Sequence, residues 1–177
     1  MIKFIFSFVL LILVTSTAIS QTLTKEEKKL YDLIMEYRKE NNLSVIPLSK
    51  SLTFVAKKHV EDLENNNPNQ GTCNTHSWSN KGNWTPCCYT PDHSESKCMW
   101  NKPRELTSYL GNGFEIAMWQ SQGAKAVDAI NSWKKSSGHN VVMINLGMWK
   151  DIKWKAIGIA IYDTYAVVWF GRESDTN

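Results

Sequence analysis

Three residues of this chain stand where function could use them: a histidine just past a helical segment, a second histidine in a polar stretch and a glutamate inside an apolar run. They are His139 in "WKKSSGHN", His76 in "CNTHSWSNKG" and Glu115 in "GNGFEIAMW". Two imidazoles and a carboxylate closed together from distant segments would form a cleft. There the rings can ligate a metal while the carboxylate is a ligand, an orienting group or a base acting on bound water. The competing reading is a hydrogen-bonded polar cluster that braces the loops over the cleft. Ser136 and Ser137 stand beside His139 in sequence, but residues that close on a bend seldom have nucleophile–base geometry. There is also no G-x-S-x-G elbow to expose a serine.

The elements that must position these groups can be read from periodicity. Thr24 caps a first helix and Glu27 completes its capping box, with Leu30, Leu33, Ile34 and Tyr37 on one face until "ENNLS" stops it. A second helix starts at Ser49 or Ser51. Leu52, Val55, Ala56, His59, Val60 and Leu63 mark its buried stripe, and "NNNPNQG" breaks it. His59 on that stripe reads as a hydrogen-bonded core residue, and His93, beside Asp92 and Glu95, as solvated. A helix from about Ala124 to Lys135 should bury Val127, Ile130 and Trp133. Gly138 should turn the chain left-handed at its end, which leaves His139 at an accessible corner. "NVVMIN" reads as a short helical turn. "WKAIGIAIY" and "YAVVWFG", joined by Asp163-Thr164, form a hairpin apolar at nearly every position, so its strands need cover on both faces. A helix, sheet, helix sandwich is the economical architecture.

The first twenty residues read as a leader. Lys3 supplies the positive charge, Phe4 to Val14 the apolar core, and Ala18-Ile19-Ser20 the cleavage site, so the mature chain is expected to start at Gln21. No later run is long and apolar enough for a membrane helix. The expected organisation is a signal peptide over 1–20 and one domain over 21–177, exported and monomeric. The formal charge of +3, with no concentrated basic run, makes nucleic acid an unsuitable partner. Eight tryptophans either fill the core or line a cleft.

Cys73, Cys87, Cys88 and Cys98 share one polar, loop-rich window, which in an oxidising compartment implies two disulfides. One should join Cys73 to either Cys87 or Cys88, and the other should join the remaining neighbour to Cys98. The alternative is a zinc knot made with His76 and His93, against which stands the lack of any C-x-x-C pair. From Trp78 to Ser108 there is little periodicity, and the disulfides are expected to hold this stretch as a loop on the cleft rim.

The order of "LYDLIMEYRKENNLSVIPLSKSLTFVAKKHVEDLE", "THSWSNKG", "GFEIAMW", "AINSWKKSSGHNVVMIN" and "WKAIGIAIYDTYAVVWFG" resembles the CAP superfamily of cysteine-rich secretory, antigen 5 and pathogenesis-related proteins, and its bacterial members above all. The resemblance implies an α+β fold, the α-β-α sandwich of the CAP or SCP domain, with a central cleft that carries two histidines and two glutamates. His139 and His76 match the two histidines. Glu115 matches the first glutamate only after a one-residue shift, without which Phe114 takes the position. Ser136 stands where the second glutamate falls.

Two functions are compatible with this. One is a secreted or periplasmic protein that acts by binding a lipid, peptide, glycan or partner protein through a His/Glu cleft able to hold zinc. The other is a metal-assisted hydrolase using His76, His139 and Glu115, with zinc as cofactor on His76 and His139.

Overall fold

In the computed structural model, which describes residues 22–176, the first helix starts at its capping box. The leader expected over residues 1–20 lies outside the described residues. Helix α1 spans Lys25–Glu40; the Thr24 amide donates to Glu27 Oε2 at 2.7 Å and the Glu27 amide to Thr24 Oγ1 at 3.2 Å. Leu30 and Ile34 carry its buried face. Helix α2, Lys50–Asn66, begins at Ser49, whose hydroxyl oxygen accepts from the Leu52 amide at 2.9 Å. Its whole expected stripe, His59 included, is buried.

Strand β1 is Gly113–Trp119, β2 is Ala156–Tyr162 and β3 is Tyr165–Gly171, in one antiparallel sheet of order β1-β3-β2. The hairpin β2–β3 turns at Asp163, where φ is +44°. The apolar run around Glu115 is thus a third strand, at the sheet edge.

Side chains alternate across the pleat and give each face its own core. Phe114, Ile116, Ile157, Ile159, Val168 and Phe170 pack with α1 and with helix α5, Ala126–Lys135. Ala117, Ala156, Ala160, Val167 and Trp169 pack with α2 and with Trp78, Tyr89 and Met99. These are the helix, sheet, helix layers that the hydrophobic strands required. Gly158 shows how closely α2 lies on the sheet, because a Cβ there would collide with the Leu52 backbone carbonyl. Of the eight tryptophans, Trp78, Trp133, Trp154 and Trp169 are fully buried and only Trp119 is exposed, so the rings are mainly core.

Three local expectations are corrected. Helix α5 buries Ala126, Ala129, Ile130 and Trp133, while Val127 is 41% exposed; the small alanines let α5 approach its neighbours and rotate the stripe by one position. Gly138 is not a left-handed cap. Ser136, in an extended conformation, ends α5 and starts helix α6, Ser137–Met143, so both Gly138 and His139 are helical. The stretch from Trp78 to Ser108 contains two short helices, α3 (Ser96–Trp100) and α4 (Lys102–Leu106), in addition to its staples.

Those staples join Cys73 to Cys88 and Cys87 to Cys98. All four thiols are consumed, and the zinc knot is set aside.

Candidate functional site

Glu115 is the third residue of edge strand β1, and the pleat sends its side chain to the α2 face while Phe114 enters the opposite core. The strand register puts Glu115, and not Phe114, on the α2 side of the sheet. The Glu115 side chain is fully buried. His59, in the third turn of α2, donates through Nδ1 to Glu115 Oε2, and His76, from the loop after α2, donates through Nδ1 to Oε1 at 2.8 Å. Both carboxylate oxygens are thus engaged. Burial alone would raise this carboxyl, but the charge and hydrogen bond of His59, followed by those of His76, outweigh it and hold Glu115 below the usual range.

His59 Nε2 lies 2.9 Å from the Ser77 carbonyl oxygen. Both ring nitrogens thus have oxygen partners, which fix the ring between the Glu115 carboxylate and the Ser77 carbonyl. Trp78 stacks on that ring at 4.3 Å and 5° and holds its plane. His59 is the member of the cluster that sequence reasoning missed. Its place on the α2 stripe marks it as hydrogen-bonded core but does not identify its partner. The available signal was one ionisable residue on each of two apolar stripes, each needing a buried counterpart.

His76 keeps a small exposed surface, 16% of its side chain, and rests its ring edge-on against Tyr89 at 5.2 Å. Its Nδ1 is taken by Glu115, so Nε2 is the atom left for a ligand. Burial raises the Tyr89 hydroxyl above its ordinary range, helped by the Glu115 charge. That hydroxyl meets His93 Nδ1 at 2.8 Å, and His93 is otherwise exposed.

His139 comes to the same place from α6. Burial, reinforced by the charge of His76 and opposed by that of Glu115, pulls it down to about 4, so it is neutral at physiological pH. Its Nδ1 is buried without a hydrogen-bond partner. Neither Ser136 nor Ser137 bonds to it, which removes the arrangement a serine nucleophile would need.

The structure brings His76 and His139 to Glu115 and adds His59. Glu115 serves as a fully buried brace for two rings. The donors left for a metal are two imidazoles, one of them with an orphaned nitrogen, and no group of three or more His, Cys, Asp or Glu suited to a metal exists among the described residues. Catalytic zinc usually has three protein ligands. The set does not fit such a centre. The groove of about 490 Å³ beside α1, lined by Leu23, Lys28 and Leu33 among others, contains none of these side chains.

No family model and no curated protein matches the chain by sequence. Solved structures do match. An outer surface protein from Borrelia burgdorferi is similar with a TM-score of 0.57 at 21% identity, over 86% of this chain and 97% of that one. An extracellular protein containing an SCP domain from Bacillus anthracis gives 0.56 at 18% identity, over 87% of this chain and 45% of the other. A cysteine-rich secretory protein from Staphylococcus aureus gives 0.54 at 14% identity, over 84% and 39%. The chain spans less than half the length of the last two. At these identities the likeness is one of fold, and the fold is that of SCP-domain proteins, the α-β-α sandwich that the order of the sequence motifs implied.

Proposed function

We propose that this is an exported CAP-fold protein, with its leader over residues 1–20 and one domain over 21–177, that works by binding and not by hydrolysis. The observation that carries the reading is the state of Glu115. Its side chain is fully buried and each oxygen is held by a ring, so the cluster presents no exposed carboxylate to activate water or to complete a metal centre. What it presents to a ligand is His76 Nε2, beside the neutral ring of His139, whose Nδ1 is buried and unpartnered. This arrangement suits a hydroxyl, an amide or a weakly held metal ion whose other positions a ligand fills. A lipid, peptide, glycan or protein segment carrying such a group is the class of partner. The extracellular and outer-surface descriptions of the structural neighbours support export.

The test is turnover against binding. Ester, phosphoester and peptide reporter substrates are offered to the protein with and without added zinc, and zinc is titrated calorimetrically near pH 7.5 and near pH 5.5. Expected is no steady turnover, and zinc binding no tighter than micromolar that is lost in His76→Ala and His139→Ala and weakened at the lower pH, because protonated imidazole does not ligate. A zinc-dependent turnover abolished by His139→Ala would overturn the binding reading and establish the hydrolase.

A further inference from the structure

A buried arginine in α1 holds the base of an apolar tip between α6 and β2. The Arg38 guanidinium, 3% exposed, donates through Nη1 to the Met143 carbonyl at 2.6 Å and to Asn145 Oδ1 at 2.7 Å, and through Nε to the Ser44 carbonyl at 3.1 Å. Asn145 donates in turn through Nδ2 to the carbonyls of Trp149 and Ile152, at 3.2 and 2.8 Å. The two ends of the loop are thereby tied to one hub. Between them lies a 3-10 turn, Gly147–Trp149, with Gly147 at φ +55°, a conformation that side chains oppose.

The turn aims apolar groups at water. Met148 is 81% exposed and Leu146 47%, and Val45, which follows the Ser44 held by the same guanidinium, is 62% exposed. Trp149 is half-buried against Phe114 and Trp154, at ring distances of 5.0 and 5.4 Å. Lys150, Lys153 and Lys155 follow, all exposed and none in an ion pair among the described residues, with Asp151 the one acid among them. Folding alone gains nothing from pointing Leu146 and Met148 outward, yet two buried polar residues keep them there.

We propose that this tip is a docking surface for an anionic phospholipid bilayer. A protruding pair of aliphatic side chains is too small to form the core of a stable protein interface, which needs about 800 Å² from each partner. A bilayer accepts such a pair at the acyl boundary, with a tryptophan at headgroup level and lysines on the phosphates. The lysines supply the charge complementarity. The surface uses none of the residues of the His76–His139 site and does not depend on the reading given for it.

Cosedimentation of the mature protein with phosphatidylcholine vesicles, with and without about one third phosphatidylglycerol, tests this. Expected is binding to the anionic vesicles, with a blue shift of tryptophan emission, that weakens as salt is raised from about 0.05 to about 0.5 M. Leu146→Ser with Met148→Ser should cost about tenfold or more in partition. Lys150→Ala with Lys153→Ala should cost roughly 25-fold, since each lysine near an anionic surface is worth about fivefold. Trp119→Ser, at the opposite end of β1 and about 20 Å away by strand rise, should change nothing. Circular dichroism and melting of each variant establish that it is folded. Absence of binding, equal binding to neutral vesicles, full binding by the Leu146/Met148 variant, or a dimer of the parent that this variant abolishes would each overturn the assignment.

Discussion

Glu115 carries a charge inside the protein, and two rings make that tolerable. Breaking a buried ion pair from one side leaves the other charge without compensation, so Glu115→Gln and His59→Ala should each cost about 3–5 kcal/mol in urea denaturation. In the double variant neither partner is left unpaired, and the loss should fall well short of the sum. Additive losses would show that the two residues do not act as a pair. His139 makes a separate prediction. Its folded value of about 4 lies below the unfolded 6.5, so between these the unfolded chain binds the extra proton and acid favours unfolding. The stability that neutral His139 contributes is complete above about pH 6.5 and is lost as pH falls towards 4, by about 2 to 3 kcal/mol. The depressed carboxyl of Glu115 acts in the same direction at lower pH, since its contribution is lost as pH falls through its folded value. His139→Gln should flatten the curve of denaturation midpoint against pH between 6.5 and 4, leaving the steeper acid limb due to Glu115. An unchanged curve would mean that His139 is not desolvated in the folded protein.

At the scale of elements, α5 and the stapled segment carry the testable packing. Trp133 is fully buried and its indole N–H donates to the Ala117 carbonyl of β1 at 3.1 Å, so Trp133→Ala should cost about 3–5 kcal/mol. Val127→Ala, on the exposed side of the same helix, should stay within about 0.5 kcal/mol. Equal melting shifts for the two would refute the phase of α5. The segment from Cys73 to Cys98 is held by the buried Trp78 and Tyr89, by the paired backbones of Trp78 and Cys87 and by two bridges, each of which should contribute about 2 to 4 kcal/mol. Thiol titration of the unreduced, denatured protein should find no reactive cysteine. Replacing Cys73 and Cys88 together by serine should loosen the loop that carries His76, which limited proteolysis between residues 73 and 88 would report.

At the scale of the whole molecule, two helical layers close on one antiparallel sheet, and the site forms where β1 meets α2, the following loop and α6. If residues 1–20 are removed on export, intact mass and N-terminal sequencing should place the first residue at Gln21; a mature chain that retained Lys3 would contradict the leader. Much of this architecture was legible without coordinates, because its signals are local. The Thr24 and Glu27 box, the α2 stripe and the β2–β3 hairpin lie within a few residues of chain and depend on periodicities of 3.6 and 2. The nearest-neighbour chemistry of Cys87 and Cys88 was equally visible and restricted the bridges to two patterns. The choice between those patterns, the extended Ser136 that makes Gly138 and His139 helical, and the rotation that exposes Val127 depended on contacts with other layers. The functional cluster shows the division most clearly. Sequence alone supplied His76, Glu115 and His139 as ionisable residues that had to be placed, and motif order suggested that they converge. Only the tertiary structure could show that Glu115 belongs to an edge strand facing α2 and that His59 occupies its second oxygen, because a buried charge finds its partner through space, here across 56 positions of sequence.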